Sequence, residues 1–361
     1  MRVVDLNSLE ELFKLRVFFI LALLLALLIL VPVSMSLGVI NVTAIDALKI
    51  LISRVPILNN YVNASSISPD AVPVLMFRLR RVLVAIAAGV ILGAGGATMQ
   101  AVLRNPMASP FTLGISQAAA LGVAVASILG VGAYTRHMLL SFANPYILPV
   151  FAFASSLIQV AVILALAYRA KLSERALILA SIAMSFFYQA LLSLLQYLFM
   201  NELQIALVVF WMYGDLGRAD WVATQIMFVS AVILAVYYFI RSLDLDVVSL
   251  GDDVASSSGV NPRILRLEAT VVSALGASIA TSFVGVLAFL CLITPHIARL
   301  VIGSSHRYLV PASMLTGALL LLLADDAGRV LMSPVTLPVG IVLSFIGAPL
   351  LIVLLISRRG E

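Results

Sequence analysis

Three arginines fall within four residues, Arg78, Arg80 and Arg81, in a chain whose charged content is only 11%. A guanidinium offers a planar fork of donors that matches a carboxylate two bonds at a time, so the chemistry on offer is recognition of acidic groups. Arg78 and Arg81 are spaced i, i+3 and share one helix face, which either anchors the helix at the membrane interface or meets carboxylates of a partner. Asp325 and Asp326, followed by Arg329, form a second charged group that either belongs with the first or caps a helix. Chemistry of other kinds finds little support. Asp215 and Asp325 are the one pair worth weighing as an aspartyl dyad, and the topology below puts both at membrane edges. His296 and His306 lack carboxylate or thiol companions at ligand spacing, so no metal site is expected and a structural role is the better account. Cys291 stands alone in an apolar run, which excludes a disulfide framework and suits a small buried hydrophobe. No Gly-x-x-x-x-Gly-Lys-[Ser/Thr] loop is present, so nucleotide phosphates are not cradled in that way.

The elements that must position these residues are set by composition. Apolar residues make up 63% of the 361, far above the ~45–50% of a soluble domain. At about 20 apolar residues per crossing, this length holds roughly ten spans. The runs are continuous, which excludes the alternating short segments of a membrane β-barrel. The predicted fold is therefore an all-α polytopic membrane protein, one transmembrane domain over residues 1–361. Spans are expected near 17–37, 78–103, 113–132, 145–168, 176–200, 221–240, 267–282, 284–302, 308–324 and 337–356, the eighth interrupted by Pro295. Asp5, Glu10 and Glu11 precede the first, and no small-x-small cleavage site follows it, so a retained span is expected rather than a signal peptide. Residues 38–76, with Asn59, Asn60 and Asn63, are too polar to cross. Gly89 and Gly93, then Gly95 and Gly96, give the second span a small-residue face for close helix contact. Trp211 and Trp221 bracket a turn at the membrane interface.

Charge then orients the chain. With the N-terminus inside, only Lys49, Arg54, Arg78, Arg80, Arg81, Arg136, Arg218 and Arg329 of the 22 basic residues lie outside. Both termini are thus expected in the cytoplasm, Arg358 and Arg359 included. The net charge of +5 reflects these scattered loop residues and does not form a nucleic-acid-binding face. Spans 2–5 and 7–10 run with opposite polarity, which suggests an inverted repeat. Between the blocks lies the longest polar interruption of the second half, residues 241–268, expected as a cytoplasmic loop.

Several short motifs follow one another along the chain. They are Arg78-Leu-x-Arg81; Gln100-Ala-Val-Leu-Arg-Asn-Pro-Met-Ala-Ser-Pro110 with Leu113-Gly-Ile-Ser116; Leu250-Gly-x-x-Val254 with Gly259-Val260; Pro295-His-Ile-Ala-Arg299 with His306-Arg307; Ala324-Asp325-x-x-x-Arg329; and Leu337-Pro-Val-Gly-Ile341 with Gly347-Ala-Pro349. Jointly, and collinear from about residue 77 to 356, they resemble the FecCD family, permease subunits of type II ABC importers for iron–siderophore complexes, haem, cobalamin and some oxyanions.

The resemblance implies ten spans per subunit and a dimer, a homodimer or a close heterodimer, with the pathway on its axis. It makes Arg78, Arg81 and Arg329 contacts for acidic residues of an extracytoplasmic substrate-binding protein. It makes Val247, Leu250, Gly251, Val254, Gly259, Val260 and Asn261 the coupling contact with an ATPase subunit, which binds ATP and Mg; this chain needs no cofactor of its own. Asn105 and Met107 correspond to a cytoplasmic gate, and Glu174 and Arg175 lie where a second gate is implied, although small polar residues are usual there. Arg80 replaces the usual proline between the two family arginines. The implied location is the plasma membrane.

An ion-coupled secondary transporter is the competing class. It would carry carboxylates at the membrane midplane, whereas Asp and Glu here lie at span ends and loops. The midplane polar residues are mainly Gln100, Gln159, Gln189 and Gln196.

Overall fold

Backbone groups in hydrocarbon must be satisfied internally, which leaves the helix as the solution for these apolar runs. The computed structural model describes residues 6–53, 68–130, 133–136, 139–142 and 144–357, and it is helical nearly throughout. The segment holding Asn59, Asn60 and Asn63 lies outside the described residues, as do Arg2, Arg54, Arg358 and Arg359.

In chain order the helices are α1 (Leu6–Ser36), α2 (Ala44–Ser53), α3 (Ala71–Val102), α4 (Ile115–Leu129), α5 (Ile147–Arg169), α6 (Glu174–Phe199), α7 (Glu202–Met212), α8 (Trp221–Ile240), α9 (Ser242–Ser249), α10 (Asp252–Ser257), α11 (Pro262–Val284), α12 (Leu290–Ile302), α13 (His306–Val330) and α14 (Val339–Ser357). Each of the ten expected spans falls on one of them. Seven, α1, α3, α5, α6, α8, α11 and α13, are long and apolar enough to cross a membrane, while α4, α12 and α14 are shorter apolar helices.

The differences from expectation have local causes. The helix α7 was not anticipated; Asn201 caps it, its side chain accepting from Gln204 N at 2.9 Å while Gln204 returns a bond to Asn201 N. Span 7 is not short, because α11 begins at Pro262, with Asn261 accepting from Arg263 and Ile264 N. The eighth span breaks at residues 285–289, where Gly285 has φ 82° and Phe289 φ 66°, and not at Pro295, which α12 runs straight through. A two-stranded antiparallel hairpin, β1 (Ala133–Arg136) and β2 (Leu139–Phe142), lies between α4 and α5.

The core is organised on α3, which packs against α8, α11, α12 and α13. Closest approach is to α13. A Cβ on Gly93 would collide with the Ser313 carbonyl, and one on Gly89 with the Ala318 backbone, so only glycine permits this distance. The neighbour relations of the two blocks exchange: α3 packs on α13 as α11 packs on α5, and α4 on α5 as α12 on α13. Both short helices also follow a left-handed residue, Gly114 before α4 and Phe289 before α12.

Candidate functional site

Two charged assemblies sit at opposite ends of α3, a helix of 32 residues and so about 48 Å long at 1.5 Å per residue. At its first turns, Arg78 donates to the Met35 and Ser36 carbonyls at 3.0 Å each and to the Ile40 carbonyl at 2.8 Å. Arg81 donates through Nε to both Asp325 oxygens, at 2.8 and 3.0 Å, and through Nη1 to Asp215 at 3.0 Å. Arg329 bonds the Leu37 carbonyl at 2.8 Å and the Ser34 hydroxyl at 2.8 Å, pairs with Asp326, and lies 3.1 Å from Asp325. Three arginines and three aspartates thus tie α1, α3, α13 and the turn after α7 into one knot.

The arginines that the resemblance makes contacts for an acidic partner are here bonded within the chain. The structure does bring Arg78, Arg81 and Arg329 to one end, but they are only 6%, 5% and 8% exposed. The physical reason is that a guanidinium near hydrocarbon is cheapest when paired and hydrogen-bonded, and three carboxylates and the carbonyl-rich end of α1 supply most of those partners. Arg80 is the least buried of the clustered arginines at 78–81, with its guanidinium 5.0 Å from the Phe77 ring. Asp215 and Asp325 share Arg81 between them, which leaves neither as half of a catalytic dyad.

At the other end, residues 241–268 are not a loop. They fold as α9, a turn at Gly251 (φ 128°), α10, a turn at Gly259 (φ 84°), and the start of α11. Both glycines adopt backbone angles that side chains rarely reach. Leu250 is 72% exposed and Val254 42%, while Val247 and Val260 are half-buried against the core. The short helices therefore present an apolar ridge to solvent and are anchored from behind. Asp246 holds His306, accepting from its backbone N at 2.6 Å with Nδ1 at 2.7 Å. Arg241 bonds Asp244 at 3.0 Å and Glu268 at 2.6 Å, and the Asp244 bond raises the guanidinium pKa above its ordinary value against the effect of burial.

Beside this segment lie both turns singled out as gates. Asn105 accepts from Met107 N at 2.9 Å, closing a tight turn whose Pro106 carbonyl meets His296 Nε2 at 3.1 Å. Met107 is 50% exposed. Ser109 and Thr112 then form a reciprocal cap on a short 3-10 turn, Pro110–Leu113. A cleft of about 110 Å³, lined by Asn105, Met107, Ala108, Ile178 and Ser181 among others, separates this turn from α6. Ser173 caps α6, Glu174 turns inward to arginines, and Arg175 is exposed. The two gate turns are thus adjacent, while the arginine end is remote from both.

Sequence reasoning missed Ser34, Asp246 and Arg266. The last is 1% exposed and donates to Val102, Leu172, Glu174 and Asp252. Its signal was an arginine lying inside what is now the first part of α11, two residues before Glu268; placing the span boundary after it concealed that.

Seven membrane-length helices and several shorter apolar ones, gathered round the buried α3, have the architecture of a polytopic membrane protein. The FecCD transport family pattern matches residues 24–357, and the chain belongs to that family. A Methanocaldococcus jannaschii protein described as an ABC transporter permease is 43% identical, over 78% of this chain and 80% of that relative. The Fe(3+)-citrate import system permease YfmE of Bacillus subtilis is 34% identical, covering 86% of this chain and 94% of that one. The hemin transport system permease HmuU of Yersinia pestis is 34% identical, over 80% and 84%. A solved ABC transporter assigned to the metal-chelate type, in an inward-facing conformation, superposes with TM-score 0.76 at 26% identity, covering 94% of this chain and 99% of that one. The chain is accordingly a permease subunit of an ABC importer and not an enzyme; ATP hydrolysis belongs to a separate subunit.

Proposed function

We propose that this permease carries an iron–siderophore, haem or related metal chelate, cobalamin included, across the plasma membrane with both termini cytoplasmic. The substrate class is supported by relatives named for ferric citrate and hemin. A second copy of the chain completes the pathway. The observation that carries this is the free face of α6, where Gln189 and Ser193 are exposed and Tyr197 is 87% exposed. Polar groups held against lipid are expensive, so this face belongs against water or another subunit.

The ATPase subunit, with its ATP and Mg, docks on Leu250 and Val254. Gly251 and Gly259 let α10 stand out from the bundle, and Val247, Val260 and Asn261 fix its base. The substrate-binding protein docks at the arginine end. There Arg78, Arg81 and Arg329 act by fixing the shape of that surface, and Arg80 is the guanidinium best placed to meet an acidic partner. Asn105, Met107, Glu174 and Arg175 surround the cytoplasmic exit.

The test is reconstitution in liposomes with its ATPase and binding-protein partners, offering ferric citrate, a ferric hydroxamate, haemin and cobalamin in turn. ATP-dependent accumulation of one of them is expected. Uptake driven by a proton or sodium gradient without ATP would instead establish a secondary transporter.

A further inference from the structure

Arg266 and Arg104 alternate with Glu174 and Asp252 in a closed ring of charge at the coupling end. Arg266 Nη2 donates to Glu174 Oε1 at 3.0 Å and to Asp252 Oδ1 at 2.8 Å. Arg104 Nε donates to the same Glu174 oxygen at 2.5 Å, and its Nη2 lies 3.7 Å from the same Asp252 oxygen. Two positive and two negative groups make the ring neutral, which is the condition for keeping it in a partly dehydrated place. Its members come from four segments: the turn after α3, the start of α6, the start of α10 and the buried face of α11.

Arg266 also holds the two gate turns by their backbones. Its Nε donates to the Val102 carbonyl at 3.0 Å, three residues before Asn105, and its Nη1 to the Leu172 carbonyl at 3.1 Å, two residues before Glu174. Both turns carry non-glycine residues in left-handed backbone, Arg104 at φ 42°, Lys171 at φ 58° and Leu172 at φ 53°. Such angles persist where surrounding bonds over-determine them, and they gather at switching segments.

The four members are unequally buried. The Arg266 side chain is 1% exposed and Glu174 20%, while Arg104, at 37%, and Asp252, at 42%, form the open side, with Asp252 on α10, the helix with the outward ridge. Water can replace Asp252's bond cheaply on its open side, whereas Arg266 cannot give up both carboxylates. The ring therefore has one releasable edge, and Glu174 keeps the buried guanidinium paired when that edge opens.

We infer that this ring is the joint that transmits displacement of α10 to the gate turns at 103–113 and 170–174, with Arg266 as its positioning residue and Asp252 as the contact that makes and breaks. The inference rests on the reading of residues 241–268 as the ATPase contact. Moving α10 alters the pull on Nη2, and the same rigid guanidinium plane carries that change to the Val102 and Leu172 carbonyls.

The test uses the assembled transporter, permease with its ATPase and binding protein, in lipid nanodiscs. Spin labels are placed singly at Leu250→Cys and Met107→Cys; Cys291, only 1% exposed, stays unlabelled. In the otherwise unaltered protein both labels change mobility on trapping with ATP and vanadate. In Asp252→Asn the Leu250 label is expected to respond as before, while the Met107 response falls about ten-fold, within the range of measured site–site coupling. Asp252→Glu recovers part of it, and Glu174→Gln reproduces the loss. Met107 responses that stay intact in Asp252→Asn and Glu174→Gln overturn the inference, even if unfolding shows the variants less stable, because the ring is then structural only. A Leu250 label that ignores both the ATPase and nucleotide in the parent protein overturns the underlying reading, and the inference with it. Asp252 is exposed enough for its variant to fold, so the result does not depend on tolerating a change at Arg266.

Discussion

Arg81 shows what residue-scale chemistry dictates at a membrane edge. Its guanidinium bonds Asp325, whose side chain has no exposure, and Asp215, and removal would leave one buried carboxylate dependent on Arg329 alone. Breaking a buried pair from one side typically costs about 3–5 kcal/mol, far more than the pair contributes when intact. Arg81→Ala is expected to destabilise the detergent-solubilised protein by about that much, read from denaturant unfolding. By contrast Lys14→Ala, which removes the open Lys14–Glu10 pair, should leave the transition where it was. An equal response of the two would show that burial does not set the strength of the knot. Because the Arg81 effect appears as stability, weak binding-protein docking by this variant is informative only beside the unfolding measurement.

Elements are joined mainly by close backbone approach. The contact of α3 with α13 depends on Gly89, Gly93 and Gly317, each facing backbone where a methyl would collide. In lipid the hydrophobic effect does not drive helices together, so dispersion over this tight seam is what holds the pair. Gly93→Val is expected to force the helices apart and destabilise by roughly 1–3 kcal/mol, the usual range for overpacking. Gly130→Ala meets nothing within 4 Å and tests only the left-handed backbone there. A Gly93→Val protein with the parent's unfolding midpoint would mean that the seam is looser than its geometry requires. The same face of α3 meets α12 at Gly96, where a Cβ would collide with the Cys291 carbonyl.

At the scale of the molecule, the proposed pairing of two copies rests on the exposed face of α6. Exposed Gln189, Ser193 and Tyr197 follow one another at i, i+4, i+8, a stripe that points in one direction along the helix. In the homodimer reading this stripe meets its twin or the aqueous axis. Tyr197→Cys in membranes is expected to yield a disulfide-linked pair of this chain under mild oxidation, seen as a doubled mass on a non-reducing gel. The same substitution at Ile233, 63% exposed on α8, should stay monomeric. Cross-linking at Ile233 and not at Tyr197 would move the interface to another face.

Helix positions, the membrane class and the absence of a phosphate loop were legible in residue order alone, because hydrocarbon length and backbone satisfaction act locally along the chain. The motifs around Asn105, Leu250 and Arg329 likewise marked where to look. Which ends they shared followed from counting spans, and Gly89 and Gly93 announced their seam by spacing. Boundaries were less legible: α11 gains five residues from an Asn261 cap, and the break before α12 sits at Phe289 and not at Pro295. What residue order left open was the partner of each charge. Arg81 and Asp325 are separated by 244 positions, Arg104 and Glu174 by 70, and Arg266 and Val102 by 164. Periodicity can place each group on a helix, but only packing decides which guanidinium meets which carboxylate. Hence Arg81, near the start of α3, meets aspartates from α13 and from the turn after α7, and Arg266 joins α10 to backbone carbonyls at the end of α3 and in the turn before α6.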